Sequence, residues 1–175
     1  MFSSEGTMHV KRKNRMYYIG IDPGASGCVV VLHDDFTVSA TCRMKNTPFF
    51  EVVDFLRGYT QQGTPYVVLE KVASSPQMGV RSAFTFGQSY GRIEGALVAL
   101  EIAHSYVRPQ DWQASLGIPK RGKKTQPQHK RTLAEKARAL YPKESITADV
   151  ADALLIAHWC AHHCPDTQRN NHDTN

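Results

Sequence analysis

Four carboxylates stand where a folded chain would hold them still. Asp22 closes one apolar run, residues 17–21, and Glu70 closes another, residues 66–69. Asp149 and Asp152 open a third, which continues from Ala151 to Trp159. An acid that ends a buried strand or begins a buried helix sits at the rim of a core on rigid backbone. Four such groups brought together would repel one another strongly unless cations lay between them. Mg²⁺ takes near-octahedral oxygen coordination from carboxylates, waters and substrate phosphate, and these acids supply hard donors without recourse to His or Cys. Two such ions, Mg²⁺ or Mn²⁺, would activate a water and steady the leaving oxygen during in-line attack at phosphorus. The expected chemistry is phosphodiester hydrolysis that leaves a 5′-phosphate and a 3′-hydroxyl. Asp22, on a central strand end, is the best-placed bridging ligand.

The elements that must position these acids follow from local pattern. Residues 16–22, 28–32 and 36–42 read as three short strands of a meander, joined by the Pro23–Gly27 turn and by Asp34-Asp35. Residues 48–61 repeat apolar side chains at helical spacing, and Pro48 suits a first turn. Residues 66–70 are apolar throughout, as in a central strand. A long irregular connection, 71–86, follows beside the acids. Next come a helix over 87–104, with Gly87, Gly91, Gly95 and Ala96 at helical spacing, and a strand at 106–108. A short helix starts at Pro109, a basic loop spans 118–129, and helices cover 130–141 and 147–163. Thr147 would cap the last helix, with Asp149 and Asp152 on one face of its first turn, where the helix dipole favours negative charge. The order describes one α/β domain over 16–164. A polar basic arm (1–15) precedes it and a polar tail (165–175) follows, both expected to be disordered.

Composition narrows the partner. The 175 residues carry a net charge of +5 and 41% hydrophobic content, ordinary for one globular domain with a real core. Lys120, Arg121, Lys123, Lys124, Lys130, Arg131, Lys136 and Arg138 crowd one short region. A charge run is usually a solvated face, but this one begins in a loop punctuated by Gly and Pro, which suits phosphate contact. No apolar run is long enough to cross a bilayer, so no membrane partner is expected. Cys28 and Cys42 read as small buried hydrophobes. The cluster His158 to Cys164 has His and Cys on one helix face but fits no common zinc spacing, and reads as a frayed helix end.

Three short segments go beyond these features: Ile19-Gly20-Ile21-Asp22-Pro23-Gly24, Leu69-Glu70-Lys71-Val72 and residues 148–154. In that order they resemble the first, second and third motifs of the RuvC-type Holliday junction resolvases. Residues 86–91, Phe-Gly-Gln-Ser-Tyr-Gly, resemble the helix that follows the family's catalytic Glu, and the long connection before Gly87 looks more like the phage and organellar branch. The resemblance implies a ribonuclease H-like fold, a five-stranded mixed sheet with helices on both faces. It implies a homodimer, since a two-fold assembly suits a pseudo-two-fold four-way DNA junction cut by paired symmetric nicks. It carries the metal-binding role to Asp22, Glu70, Asp149 and Asp152, and a catalytic lysine to Lys124 first and Lys130 second. Arg81, Arg92, Lys120, Arg121, Lys123, Lys130 and Arg131 would contact phosphates. Met78, Phe84 and Phe86 could wedge against unstacked bases, or the phenylalanines could be core residues opening the helix. The expected setting is the cytoplasm of a bacterial or phage-infected cell, or an organelle.

Three rival readings remain to be weighed. Residues 20–27 also resemble the first phosphate loop of actin-like ATPases and sugar kinases, but the chain has no late Asp-x-Gly motif and is too short for a second lobe, so no nucleotide cofactor is expected. A non-catalytic junction-binding protein would be expected to have lost acids, and all four are present. An RNA-processing nuclease on the same fold is the nearest enzymatic alternative.

Overall fold

The structure, a computed structural model, describes residues 15–24, 26–71 and 78–164. The chain begins with the antiparallel meander β1 (Met16–Asp22), β2 (Cys28–His33) and β3 (Val38–Arg43). β4 (Thr64–Glu70) returns parallel to β1 after the helix α1 (Phe49–Gln62), and β5 (Ala103–Val107) lies parallel beyond it after α2 (Val80–Ala99). The sheet order is β3-β2-β1-β4-β5. β1 and β4 are central and nearly all buried, as a strand covered on both faces must be.

Helices cover both faces, as expected. α1 and α2 pack Val52, Leu56, Ile93 and Leu97 onto Ile19, Ile21, Val67 and Leu69. On the other face lie α3 (Pro109–Ser115), α4 (Gln126–Leu140) and α5 (Ala148–His163), which bury Trp112, Leu133 and Leu154 among others. α5 crosses β1 at Gly20. A Cβ there would stand 2.2 Å from the Ala153 carbonyl and from the Ala157 nitrogen, so only glycine lets the helix lie so close. Because β1 and β4 run parallel in register, Ile21 beside Leu69, their ends bring Asp22 and Glu70 out at one edge.

Several boundaries differ from the sequence expectation. α2 starts at Val80, seven residues before the expected start, so the irregular connection is shorter. It stops at Ala99, since Glu101 reverses the chain with φ of 54°, and β5 therefore begins at Ala103. α4 starts at Gln126 because Thr125 and Gln128 form a reciprocal capping box, which ends the basic loop four residues early. β3 starts at Val38, since Phe36 completes the preceding turn with φ of 64°. The arm at 1–14, the tail at 165–175, the middle of the connection at 72–77 and Ala25 lie outside the described residues.

Candidate active site

Asp22 is half-buried at the end of β1, and the Gly24 N–H donates to its Oδ1 at 3.2 Å. Burial raises its carboxyl above the usual range, opposed by that N–H and by the charge of Lys130. Glu70 is only 8% exposed. The indole N–H of Trp112 donates to Glu70 Oε1 at 2.9 Å. Burial and then the charge of Asp22 push the Glu70 carboxyl up to about 7, against the pull of the indole. Asp152 stands on α5 with its Oδ2 3.8 Å from Lys130 Nζ. Burial and again Asp22 push it up to about 6.

The three acids therefore act on one another, and Lys130 acts on all three. Burial raises the proton affinity of all three, the charge of Asp22 adds to it at Glu70 and Asp152, and one ammonium does not offset it. Asp152 Oδ1 is buried without a hydrogen-bond partner. Among the described residues no three Asp, Glu, His or Cys side chains close on one point as a metal shell would. Electrostatic coupling reaches further than coordination, so the two observations agree: the acids share a field and stand apart. An orphaned carboxylate oxygen, a shortage of positive charge and hard donors fit a divalent cation.

Asp149 is not brought to this group. Its Oδ2 lies 2.7 Å from Arg43 Nε at the end of β3, and Arg43 also donates to Thr147 Oγ1 at 3.3 Å. The Thr147 hydroxyl and the Arg43 guanidinium hold the Asp149 carboxyl below the ordinary value. Of the two candidate lysines, Lys130 lies beside the acids, whereas Lys124 donates to Thr132 Oγ1 at 3.3 Å on an exposed surface.

A cleft of about 610 Å³ runs past two of these acids, Glu70 and Asp152, with Lys130, Lys120, Arg121 and Gln113 among its other walls. Lys123 is exposed in the loop above, and Arg131 pairs with Glu135 at 3.0 Å. Arg92 borders a separate pocket of about 160 Å³ beside Gly24. Arg81 is exposed in the first turn of α2 and Met78 is half-buried just before it. Phe84 is 67% exposed and so is not a core residue, while Phe86 is half-buried with its ring 6.3 Å from that of Tyr90. The end of α5 is continuous helix to His163 rather than frayed. There His158 Nδ1 lies 2.9 Å from the Tyr141 hydroxyl, and Cys160 and Cys164 are buried.

Sequence reasoning missed Trp112 and Arg43. Both act on the acids across the fold, Trp112 from α3 and Arg43 from β3, and neither lies near its partner in the chain. The Pro109-Gln110-Asp111-Trp112 helix start was the available signal for the first; none pointed to the second.

No family model matches the chain, and no curated protein matches it in sequence. Solved structures do. RuvC of T. thermophilus in complex with a Holliday junction substrate superposes with a TM-score of 0.61 at 18% identity, over 88% of this chain and 96% of that one. A second structure of RuvC from Thermus thermophilus gives 0.57 at 18% identity, over 89% and 97%. The fold is the ribonuclease H-like fold of those proteins, a mixed five-stranded sheet between helical layers. Among the described residues no helix is long and apolar enough to cross a membrane.

Proposed function

We propose that this chain is a divalent-metal-dependent endonuclease that resolves four-way DNA junctions by paired symmetric nicks. The observation that carries the reading is the coupled group Asp22, Glu70 and Asp152 at one end of the sheet, two of which, Glu70 and Asp152, wall a cleft together with Lys120, Arg121 and Lys130. Acids for a metal and cations for phosphate in one cleft suit a nucleic-acid phosphodiester. The fold shared with a protein solved on a Holliday junction substrate supports the choice of branched DNA.

Asp22, Glu70 and Asp152 would hold Mg²⁺ or Mn²⁺, with Asp149 joining on release from Arg43. The bound cations would supply an activated water and charge stabilisation at the leaving oxygen. Lys130 keeps the carboxylates partly neutralised, and its ammonium is free to turn to a phosphate once cations replace it. Lys120 and Arg121 hold the backbone in register without reading sequence. Met78, Arg81, Arg92, Lys123 and Arg131 extend the contact surface, and Lys124 contributes charge at its margin.

The dimer would form through α2. Val80, Phe84, Gly87, Gly91, Gly95 and Val98 recur at helical spacing and are all exposed. A Cβ on any of the three glycines would meet nothing within 4 Å. A second copy packed there would bury the apolar side chains and relate two clefts by a two-fold axis.

Cleavage of a mobile four-way junction, a linear duplex, a flap and an RNA–DNA hybrid, with and without Mg²⁺, tests the reading. Paired nicks in the junction alone, dependent on the ion, are expected, and Asp22→Asn should stop cleavage while junction binding persists. Equal cutting of hybrid and junction would point to the RNA-processing alternative. Loss of binding together with cleavage in Asp22→Asn would make the acid structural.

A further inference from the structure

Trp112 is fully buried, yet its only polar atom is spent on Glu70. A tryptophan that merely filled the core would leave this N–H to any nearby carbonyl. Here it meets, at 2.9 Å, the one charged side chain buried among the described residues. The bond occupies Oε1 and leaves Oε2 for another partner.

The position of the indole is itself fixed by local chemistry. α3 is seven residues long and starts with Pro109 at its first position. Arg108 clamps Asp111 in its first turn through bonds of 2.7 and 3.1 Å. The indole body is buried in the same core as Val107, Ile118 and Leu133. Gln110 and Gln113 of the same short helix line the cleft. One helix thus forms part of the wall where a ligand would rest and, one residue away, grips an acid.

We propose that Trp112 is a positioning residue: its indole N–H orients the Glu70 carboxylate for a divalent cation, and α3 links that orientation to the DNA-facing wall. The proposal rests on the nuclease reading above.

Trp112→Phe keeps the ring and removes the donor. Removing a donor that hydrogen-bonds a metal ligand typically costs about 10- to 100-fold in metal affinity or activity. The expected result is a fall of that size in kcat with the KM for junction DNA unchanged, and an equal weakening of Ca²⁺ binding measured calorimetrically on the full chain without DNA. Raising Mg²⁺ should restore part of the loss. A purely space-filling role would lower Tm and leave Ca²⁺ affinity as in the parent, and that outcome would overturn the proposal.

A second measurement leaves Trp112 in place. In the Trp159→Phe chain, Trp112 is the sole tryptophan, since the sequence has two. Ca²⁺ should shift its emission saturably, and Glu70→Gln should abolish the shift. Emission indifferent to Ca²⁺ in a chain that binds Ca²⁺ would refute the link. If the parent chain neither binds divalent ions nor cuts branched DNA, the nuclease reading fails; if it does both and Trp112→Phe matches it, only the present proposal fails.

Discussion

Asp152 and Asp149 lie three residues apart on α5 and meet opposite fates. Asp152 has a side chain 15% exposed, faces Asp22 across the strand end, and is pushed up to about 6. Asp149 is 40% exposed, is held by Thr147 and Arg43, and is pulled below its ordinary value. The residue type is the same and the helix is the same. What differs is about 60° of rotation around the helix axis, enough to turn one carboxylate into the packed interface and the other to its rim. Burial without enough cation creates a site that seeks positive charge, whereas pairing at the surface satisfies an acid already.

The largest expected effect tests whether that difference matters for chemistry. Asp152→Asn should cut junction cleavage on the order of 10⁴-fold, the scale of losing a group that acts at the reacting atoms. Asp149→Asn should cost about tenfold, the lower end of a supporting role. Single-turnover rates at saturating protein measure both. Equal losses would mean that Asp149 abandons Arg43 during the reaction, and the comparison would hold only for the free chain.

Stability against pH sharpens the contrast without any substrate. Glu70 is raised from 4.5 to about 7 and Asp152 from 3.8 to about 6, so folding favours their protonated forms. Their stabilising share is complete below the ordinary values and is lost as pH rises through the folded ones. Metal-free protein should therefore lose stability between about pH 4 and 7, by on the order of several kcal/mol. Mg²⁺ at neutral pH should restore it by mass action, and Glu70→Gln should flatten about half of the slope. Asp149 has the reverse sign: its share is present above its ordinary value of 3.8 and fades below. Denaturant titrations across pH, with and without Mg²⁺, separate the two limbs. A metal-free chain that is most stable at neutral pH would contradict the burial account.

The same contrast explains which features were legible from sequence. Apolar runs ending in acids marked β1 and β4, and short apolar or β-branched runs between turn residues marked the meander, since such signals are local. The convergence of Asp22 and Glu70 followed from two parallel strand ends. Helical spacing put Asp149 and Asp152 on one side of α5 but carried no information on the rotation that parts them. Which of the two faces the core depends on how α5 docks on the sheet, and Gly20, whose missing Cβ lets α5 lie against β1, permits that close docking. Arg43 and Trp112 reach acids 106 and 42 residues away in the chain, and nothing local marks such a pairing. The start of α4 was readable, because Thr125 and Gln128 spell a capping box, yet the run of charges around it reads as loop.

Lysine exchange gives a smaller effect. Lys130 acts on all three raised acids, while Lys124 bonds Thr132. Lys130→Ala should slow cleavage by about tenfold, or 1.4 kcal/mol, and should raise the proton affinity of the metal-free acids further. Lys124→Ala should weaken junction binding modestly, with a shallower salt dependence. Rates and affinities measured at two salt concentrations distinguish them. A reversal of the two effects would place Lys124, not Lys130, at the reacting phosphate.

The smallest effect concerns the clamp on Asp149. Arg43 and Asp149 are both well exposed, so their ion pair contributes under about 1 kcal/mol to folding. Arg43→Gln should therefore shift Tm by only a few degrees at most. Its informative consequence lies at the cleft. Without the guanidinium, Asp149 loses its partner and its charge adds to the field of Asp22 and Asp152, so Ca²⁺ affinity should rise a few-fold. In the Arg43→Gln chain, Asp149→Asn should then cancel that gain. If Ca²⁺ affinity stays at the parent value in Arg43→Gln, Asp149 does not join the ion even when released, and the divalent site is built from Asp22, Glu70 and Asp152 alone.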